Sequence, residues 1–309
     1  MITVDLITGF LGSGKTTFIR KYARYLMDKG LNIGILENDF GAVNVDMMLL
    51  KELEGDNCEL EMVAGGCDKD CYRRRFRTKL IAMGMSGYDR VLIEPSGVFD
   101  VDDFFDALHD EPLDRWYQIG NVIAVVDAGL EDELSDEADY VLASEAANAG
   151  CIVFSRTNLV TKDKANNTVQ HINRALEKIH CNRKISDEVI TVAWEAFGEK
   201  EFEKILNSGY KMSDYEKRYG IEDGFFKSLY FMDEGIGAEN IKKKVNQIFN
   251  DSECGNVFRI KGFIKDGDGW IEMNATSHEC RLKPIKEGQD VLIVIGSDLN
   301  EDRIRSYIK

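Results

Sequence analysis

The chain has 309 residues, of which 44% are hydrophobic, and its 55 acidic against 39 basic residues give a formal charge of −16. This length predicts two domains, and the negative charge argues against nucleic acid or an anionic membrane surface as the main partner. Without an apolar run of about 18 residues to cross a bilayer, and with seven cysteines better interpreted as free thiols or metal ligands than as disulfides, we expect a cytoplasmic protein.

The first two hundred residues alternate short apolar runs with helical patterns. Nearly continuous, β-branched runs predict strands at 2–7, 31–36, 90–93, 121–126, 151–154 and 189–192. Helical spacing of apolar residues predicts helices at 15–29, 71–83, 101–108, 134–149 and 162–179. Strands that are apolar on both faces are typical of parallel sheets covered by helices on both sides. We therefore predict a doubly wound, mainly parallel α/β domain over residues 1–208.

A smaller second domain is predicted after a polar segment. Residues 209–224 lose the periodic pattern and form the expected linker. Beyond it, strands are predicted at 225–232, 256–264, 269–276 and 291–295, with helices at 238–249 and 300–308. Two helices on a small, mostly antiparallel sheet make residues 225–309 an α+β domain.

Residues 9–17, the phosphate loop, read GFLGSGKTT and follow the first predicted strand directly. This G-x-x-x-x-G-K-[ST] pattern converges backbone N–H groups and a helix N-terminus on a phosphate, and it predicts a P-loop NTPase. Lys15 would neutralise the outer phosphates, and the Thr16 hydroxyl would bind Mg²⁺. The expected nucleotide-binding residues of the loop are Gly12, Ser13, Gly14, Lys15, Thr16 and Thr17.

Two acidic segments follow predicted strands. In Glu94-Pro95-Ser96-Gly97, the carboxylate could hold Mg²⁺ through a water and the Gly97 N–H could meet a γ-phosphate. This makes Lys15, Thr16 and Glu94 the predicted catalytic residues. In the segment ENDFG at 37–41, acidic groups could bind the nucleotide's Mg²⁺, a second metal, or neither. An ordinary strand-to-helix turn and a solvated loop are the respective alternatives.

A candidate thiolate site lies at Cys67 and Cys71, four residues apart at the start of a predicted helix. The helix terminus and the arginines that follow favour thiolates, which suit zinc and similar divalent metals. Two cysteines are half a site, and spacing does not choose among the candidates that could complete it: Glu37, Cys58, Asp68, Asp70 and His109. The alternative is a pair of small buried hydrophobic residues.

Ser155-Arg156-Thr157-Asn158 stands where P-loop GTPases carry the base-reading N-K-x-D element. Arg156 could stack on the base. Asn158 offers one acceptor and one NH₂ donor, so it satisfies guanine only in part and should accept the 2-oxo group of xanthine better than aspartate does.

Taken in order, GFLGSGKTT, ENDFG, Cys67, EPSG and SRTN resemble the CobW-type metallochaperone GTPases (CobW/HypB/UreG), as do the carboxyl-terminal strands FRIKGFI and DVLIVIG. The resemblance implies phosphate binding by residues 12–17, a magnesium or switch role for Asp39 and Glu94, and metal binding around Glu37 and Cys67. The family's C-x-C-C motif is here Cys67-x-x-x-Cys71, and SRTN replaces N-K-x-D or S-K-x-D.

The leading hypothesis is a Mg²⁺-dependent GTPase that couples nucleotide state to delivery of a divalent metal, of the zinc or cobalt class, to a client protein or cofactor-maturation pathway. One alternative is a nucleotide-regulated partner-binding module without metal transfer, and another is a small-molecule kinase. The sequence leaves the client, the metal and the oligomeric state open.

Overall fold

The computed structural model describes residues 1–10, 12–39, 45–64, 69–95, 101–216, 227–232, 234–238, 240–267, 269–277, 279–285 and 288–308. The chain divides into two compact units, one of residues 1–40 and 46–219 and the other of residues 41–45 and 220–309. Each unit has its own sheet and its own hydrophobic core. Among the described helices, none combines the length and apolar character that crossing a membrane requires.

The first unit is built on seven parallel strands in the order β3-β2-β4-β1-β5-β6-β7. The strands are β1 (Ile2–Thr8), β2 (Ile33–Asp39), β3 (Cys58–Ala64), β4 (Arg90–Glu94), β5 (Tyr117–Asp127), β6 (Cys151–Ser155) and β7 (Val189–Ile190). The helices are α1 (Lys15–Asp28), α2 (Val45–Leu50), α3 (Lys69–Met83), α4 (Val101–His109), α5 (Leu113–Trp116), α6 (Asp136–Asn148), α7 (Lys162–Lys178) and α8 (Glu199–Leu206). The predicted parallel α/β fold is confirmed.

Helices cover both faces of this sheet. On one face α1 and α8 bury Phe18, Tyr22 and Ile205 against the strands. On the other face α3, α4, α6 and α7 form the larger core. Because strand side chains alternate between faces, Leu6 points to the larger core and Ile7 to α1.

A buried charge network ties the central strands together. The Asp5 carboxylate on β1 is fully buried, and Arg90 Nη1 donates to both of its oxygens at 2.5 and 2.6 Å. Tyr22 Oη on α1 donates to Asp5 Oδ2 at 2.8 Å, and the Asn121 backbone N–H on β5 donates to Oδ1 at 2.8 Å. Burial raises the pKa of Asp5, against the opposing charge of Arg90. The network fixes α1, which starts at the phosphate loop, to three neighbouring strands.

The second unit is a five-stranded antiparallel sheet in the order β11-β10-β9-β12-β8. Its strands are β8 (Lys227–Met232), β9 (Asn256–Asp266), β10 (Gly269–Ala275), β11 (Cys280–Ile285) and β12 (Val291–Ser297). Two helices, α9 (Ile241–Asn250) and α10 (Glu301–Ile308), bury Val245 and Ile304 against one face. The predicted arrangement of two helices on an antiparallel sheet is confirmed, with β11 added at the edge.

The described part of the predicted linker is hydrogen-bonded to the first unit. The backbone N–H of Gly209 donates to Asn121 Oδ1 at 2.8 Å, and that of Glu216 donates to the Ile179 carbonyl at 2.8 Å. Residues 217–226 lie outside the described part of the chain. The linker over 209–224, and with it the domain limits 1–208 and 225–309, therefore stay a prediction.

Candidate nucleotide-binding site

The phosphate loop connects β1 to α1, and its glycines stand at positions where a side chain would be strained or would clash. Gly12 and Gly14 have φ values of 83° and 103°, in the left-handed region that favours glycine. A Cβ on Gly9 would lie 2.2 Å from the Val125 carbonyl oxygen, so the loop runs against β5. Leu11 lies outside the described residues.

The loop offers what a phosphate group needs. Gly14 caps α1 without a side-chain hydrogen bond, and the first turn contains no acidic residue, so the positive end of the helix is open to an anion. Ser13 Oγ is buried with no hydrogen-bond partner. Lys15 is 7% exposed, and its Nζ donates to the Gly9 carbonyl at 2.7 Å. These hydrogen-bond donors fit a phosphate group. Thr17, the last predicted residue of the loop, is exposed.

Thr16 and Glu94 lie together at the carboxyl edge of the sheet. Thr16 Oγ1 on α1 donates to Glu94 Oε1 at the end of β4, at 3.2 Å. Both residues are buried, and Glu37 on β2, which is 2% exposed, stands in register with Glu94. Hydroxyl and carboxylate oxygens are the ligands that Mg²⁺ prefers, so the side chains present fit a magnesium ion.

Glu145 on α6 is a further residue of this site that the sequence analysis missed. Its Oε1 accepts hydrogen bonds from Thr8 Oγ1 at 3.1 Å and from the Gly9 backbone N–H at 3.2 Å. It is 1% exposed, and burial raises its pKa to about 7 against the opposing charge of Lys15. The available signal was a single carboxylate among the alanines of a helix face, in the sequence ASEAAN.

The predicted base-reading segment begins where β6 ends. Ser155 is buried, Arg156 has a left-handed φ of 54°, and Asn158 is exposed. Arg156 pairs with Asp127 at 2.5 Å and donates from Nη2 to the Gly12 carbonyl at 3.0 Å. Its guanidinium is thus bonded to the phosphate loop, a contact that the sequence did not predict.

The ring of Trp194 lies against the phosphate loop at Gly14, close to Ser155. A Cβ on Gly14 would lie 3.2 Å from the Trp194 ring and 3.7 Å from Ser155 Cβ. The indole Nε1 of Trp194 is buried without a hydrogen-bond partner. The ring also packs against Phe18 of α1, with ring centroids 5.9 Å apart. These contacts place an aromatic ring next to the start of α1.

Four predicted site residues lie wholly or partly outside the part of the chain that the structure describes. Cys67 and Gly97 are not among the described residues, and only the backbones of Asp39 and Cys71 are described, at the end of β2 and in the first turn of α3. Among the side chains that the structure does describe, no group of three or more His, Cys, Asp or Glu residues could hold a metal ion.

Cys58, one of the residues considered for completing a metal site, lies far from this edge. It stands at the amino end of β3, opposite Ile33, whereas Glu37 lies four residues further along β2. Burial raises the pKa of its thiol to about 11. A neutral thiol in the core does not act as a thiolate ligand, so Cys58 belongs to the packing of the first unit.

Residues 3–186 match the model of the family described as CobW/HypB/UreG, nucleotide-binding domain. The zinc chaperone YjiA of Escherichia coli (strain K12) is 31% identical over 169 residues, 51% of this chain and 50% of YjiA. The zinc-regulated GTPase metalloprotein activator 1 of Schizosaccharomyces pombe is 24% identical over 192 residues, 60% of this chain and 45% of that protein.

The aligned region spans about half the length of these curated relatives. A solved structure, the Zn(II)-bound YjiA GTPase from E. coli, is 19% identical, covers 99% of this chain and 97% of that chain, and has a TM-score of 0.42. The structural likeness is weak, and the family assignment rests on the sequence match.

Proposed function

Because the chain belongs to the CobW/HypB/UreG family of nucleotide-binding proteins, we propose that it is a Mg²⁺-dependent GTPase that couples its nucleotide state to delivery of a divalent metal. The metal is zinc or a metal of the cobalt class, and the recipient is a metalloenzyme or a partner in cofactor maturation in the cytoplasm. The observation that carries the proposal is the contact between Thr16 and Glu94, which joins the phosphate loop to the strand edge where Glu37 lies.

Nucleotide binding and hydrolysis are supported by the phosphate loop. The open N-terminus of α1, the unpaired Ser13 hydroxyl and Lys15 supply donors for phosphate oxygens. Lys15, now bonded to the Gly9 carbonyl, would turn to the outer phosphates and stabilise negative charge on the transferred group. Thr16 and Glu94 would hold Mg²⁺, which neutralises charge on the phosphates when it is bound. Gly97 is proposed to meet the γ-phosphate.

Coupling to metal cargo is supported by the position of Glu37. It stands beside Glu94 in strand register and on the same face of the sheet as α1. A change at Glu94 on loss of the γ-phosphate would therefore act next to a residue proposed to bind the cargo. Cys67 and Cys71 are proposed as thiolate ligands for zinc, and the curated relatives include proteins named zinc chaperones. Asp39, at the end of the same strand, is proposed to follow the nucleotide state.

The base is proposed to be guanine. Ser155 ends β6 at the carboxyl edge of the sheet, and Asn158 follows two residues after Arg156, which contacts the phosphate loop. Because Asn158 lacks the charge of aspartate, it should bind guanine less tightly and tolerate xanthine better. Comparing GTP, XTP and ATP affinity in wild type and Asn158→Asp tests this assignment. Tighter GTP binding by the variant is expected, and unchanged GTP binding would show that Asn158 does not read the base.

Release of free phosphate from GTP with Mg²⁺ tests the enzyme activity. Wild type should release phosphate slowly, and Lys15→Ala should lose at least a hundredfold in rate, because one charge that stabilises the transferred group is gone. Lys21→Ala, on the same helix, is the matched control. Phosphate transfer to a small molecule without free phosphate would indicate the kinase alternative.

Zinc titration of the reduced protein tests metal binding. The double variant Cys67→Ala/Cys71→Ala should lose at least tenfold in zinc affinity, because removal of a thiolate ligand weakens a zinc site strongly. Cys280→Ala, which removes a thiol from the second unit, is the control and should bind zinc as wild type does. Equal zinc affinity in all three proteins would favour a nucleotide-regulated binding module without metal transfer.

A further inference from the structure

A buried carboxylate lies directly under the start of the phosphate loop. Glu145 on α6 accepts hydrogen bonds from Thr8 at the end of β1 and from the backbone N–H of Gly9. Lys15 donates to the carbonyl oxygen of the same Gly9. The first glycine of the loop therefore donates its N–H to the Glu145 carboxylate and accepts at its carbonyl from the Lys15 ammonium group.

The second oxygen of this carboxylate, Glu145 Oε2, is buried without a hydrogen-bond partner. Desolvation favours the neutral acid and raises the pKa of Glu145 to about 7, while the charge of Lys15 and the two hydrogen bonds favour the ionised form. Glu145 is thus poised between its two protonation states near neutral pH. The ratio of its ionised to its neutral form depends on the position of the Lys15 charge.

Other charged groups on the neighbouring elements have partners of their own. Asp127 on β5 pairs with Arg156, and Asp139 on α6 pairs with both His171 and Lys178 of α7. Asp106 and His109 on α4 are exposed. Among the described side chains, Lys15 is the charged group that acts on Glu145.

We propose that Glu145 is a positioning residue of the phosphate loop that takes up a proton when nucleotide phosphates bind. The inference rests on the proposed nucleotide site, since it needs Lys15 to turn from Gly9 to the phosphates. That movement removes a positive charge from Glu145 and the phosphates add negative charge. The proton comes from solvent and binds the carboxylate, and Glu145 then still accepts the Gly9 N–H through its remaining carbonyl oxygen.

The size of the effect follows from Coulomb's law. A negative charge about 10 Å away in a medium of effective dielectric constant about 20 raises a carboxyl pKa by about one unit. Wild type should therefore take up about half a proton per nucleotide at about pH 7.5, and its affinity should fall up to about tenfold between about pH 6 and pH 9. The affinity falls as pH rises because the bound state holds the proton more tightly.

Calorimetry of GDP binding with Mg²⁺, in two buffers of different ionisation enthalpy, measures this uptake. Glu145→Gln keeps an oxygen that accepts from Gly9 but has no proton to gain, so its uptake should be smaller than that of wild type by about half a proton. Ionisation of GDP itself is the same for both proteins and cancels in the difference. A purely structural role for Glu145 would leave the proton count unchanged.

Equal proton uptake and equal pH dependence in wild type and Glu145→Gln would overturn the inference while leaving the nucleotide site intact. Failure of wild type to bind any nucleotide would instead overturn the proposed function and the inference with it. If Glu145→Gln does not fold, Thr8→Val serves in its place. Loss of the Thr8 hydrogen bond should move the pH midpoint of binding up by about half a unit, and an unmoved midpoint would overturn the inference.

Discussion

Replacement of Glu145 by glutamine should change how the stability of the first unit depends on pH. The folded protein holds the pKa of Glu145 at about 7, against 4.5 for an ordinary glutamate, because the carboxyl group is buried. The folded state therefore favours the neutral acid. The contribution of Glu145 to folding stability is fully present below about pH 4.5, and it is lost as the pH rises to about 7.

The difference between the pKa of Glu145 in the folded and unfolded states corresponds to at most about 3 kcal/mol of unfolding free energy. Glutamine cannot ionise, so Glu145→Gln should gain up to that amount in unfolding free energy relative to wild type between pH 4.5 and pH 8. Urea unfolding without nucleotide, followed by tryptophan fluorescence at several pH values, measures it. Glu177→Gln, which removes an exposed carboxylate on α7, is the matched control. Parallel pH profiles for wild type and Glu145→Gln would refute a raised pKa at this residue.

Three further substitutions test the site and its support. Asp5→Ala should lower the unfolding free energy measured in urea by about 3 to 5 kcal/mol, because it leaves the charge of the Arg90 guanidinium without its carboxylate partner. A loss below about 1 kcal/mol would contradict a stabilising role of the network. Gly9→Ala should abolish nucleotide binding in a fluorescence titration because its Cβ would clash with a strand carbonyl, whereas Gly30→Ala, at a positive φ with open space around it, should bind normally. Arg156→Ala should weaken GTP, XTP and ATP binding alike, by about tenfold, because it removes a charged hydrogen bond to the loop; a loss confined to GTP would show that Arg156 reads the base.

Contiguous signals allowed the phosphate loop to be predicted from the sequence. Residues 9–17 form the loop within one short segment, so their spacing alone determines the strand-loop-helix geometry. The proximity of Thr16 and Glu94 also followed, because parallel strands β1 and β4 end at the same edge of the sheet. The edge strand β3 was missed because its sequence, CELEMVA, places glutamates at alternate positions and lacks the continuous apolar run of a buried strand.

The site contacts that the sequence did not predict are made between residues far apart in the chain. Glu145 contacts Thr8 across 137 positions of sequence, and its place among alanines in α6 marks an unusual carboxylate without indicating that it reaches the loop. Likewise, the Arg156 guanidinium contacts Gly12 across 144 positions, although its place after β6 suggested only a base contact. Burial decides the behaviour of the Glu145 side chain, and burial depends on which helix packs on which face of the sheet.

Zinc affinity measured in two nucleotide states tests the proposed coupling most directly. The reduced protein should bind zinc with affinities that differ at least tenfold, or by about 1.4 kcal/mol, between a non-hydrolysable GTP analogue and GDP, both with Mg²⁺. Thr16→Ala should abolish that difference, because Thr16 links the loop to Glu94 beside Glu37. The same zinc affinity in both nucleotide states of wild type would contradict the account.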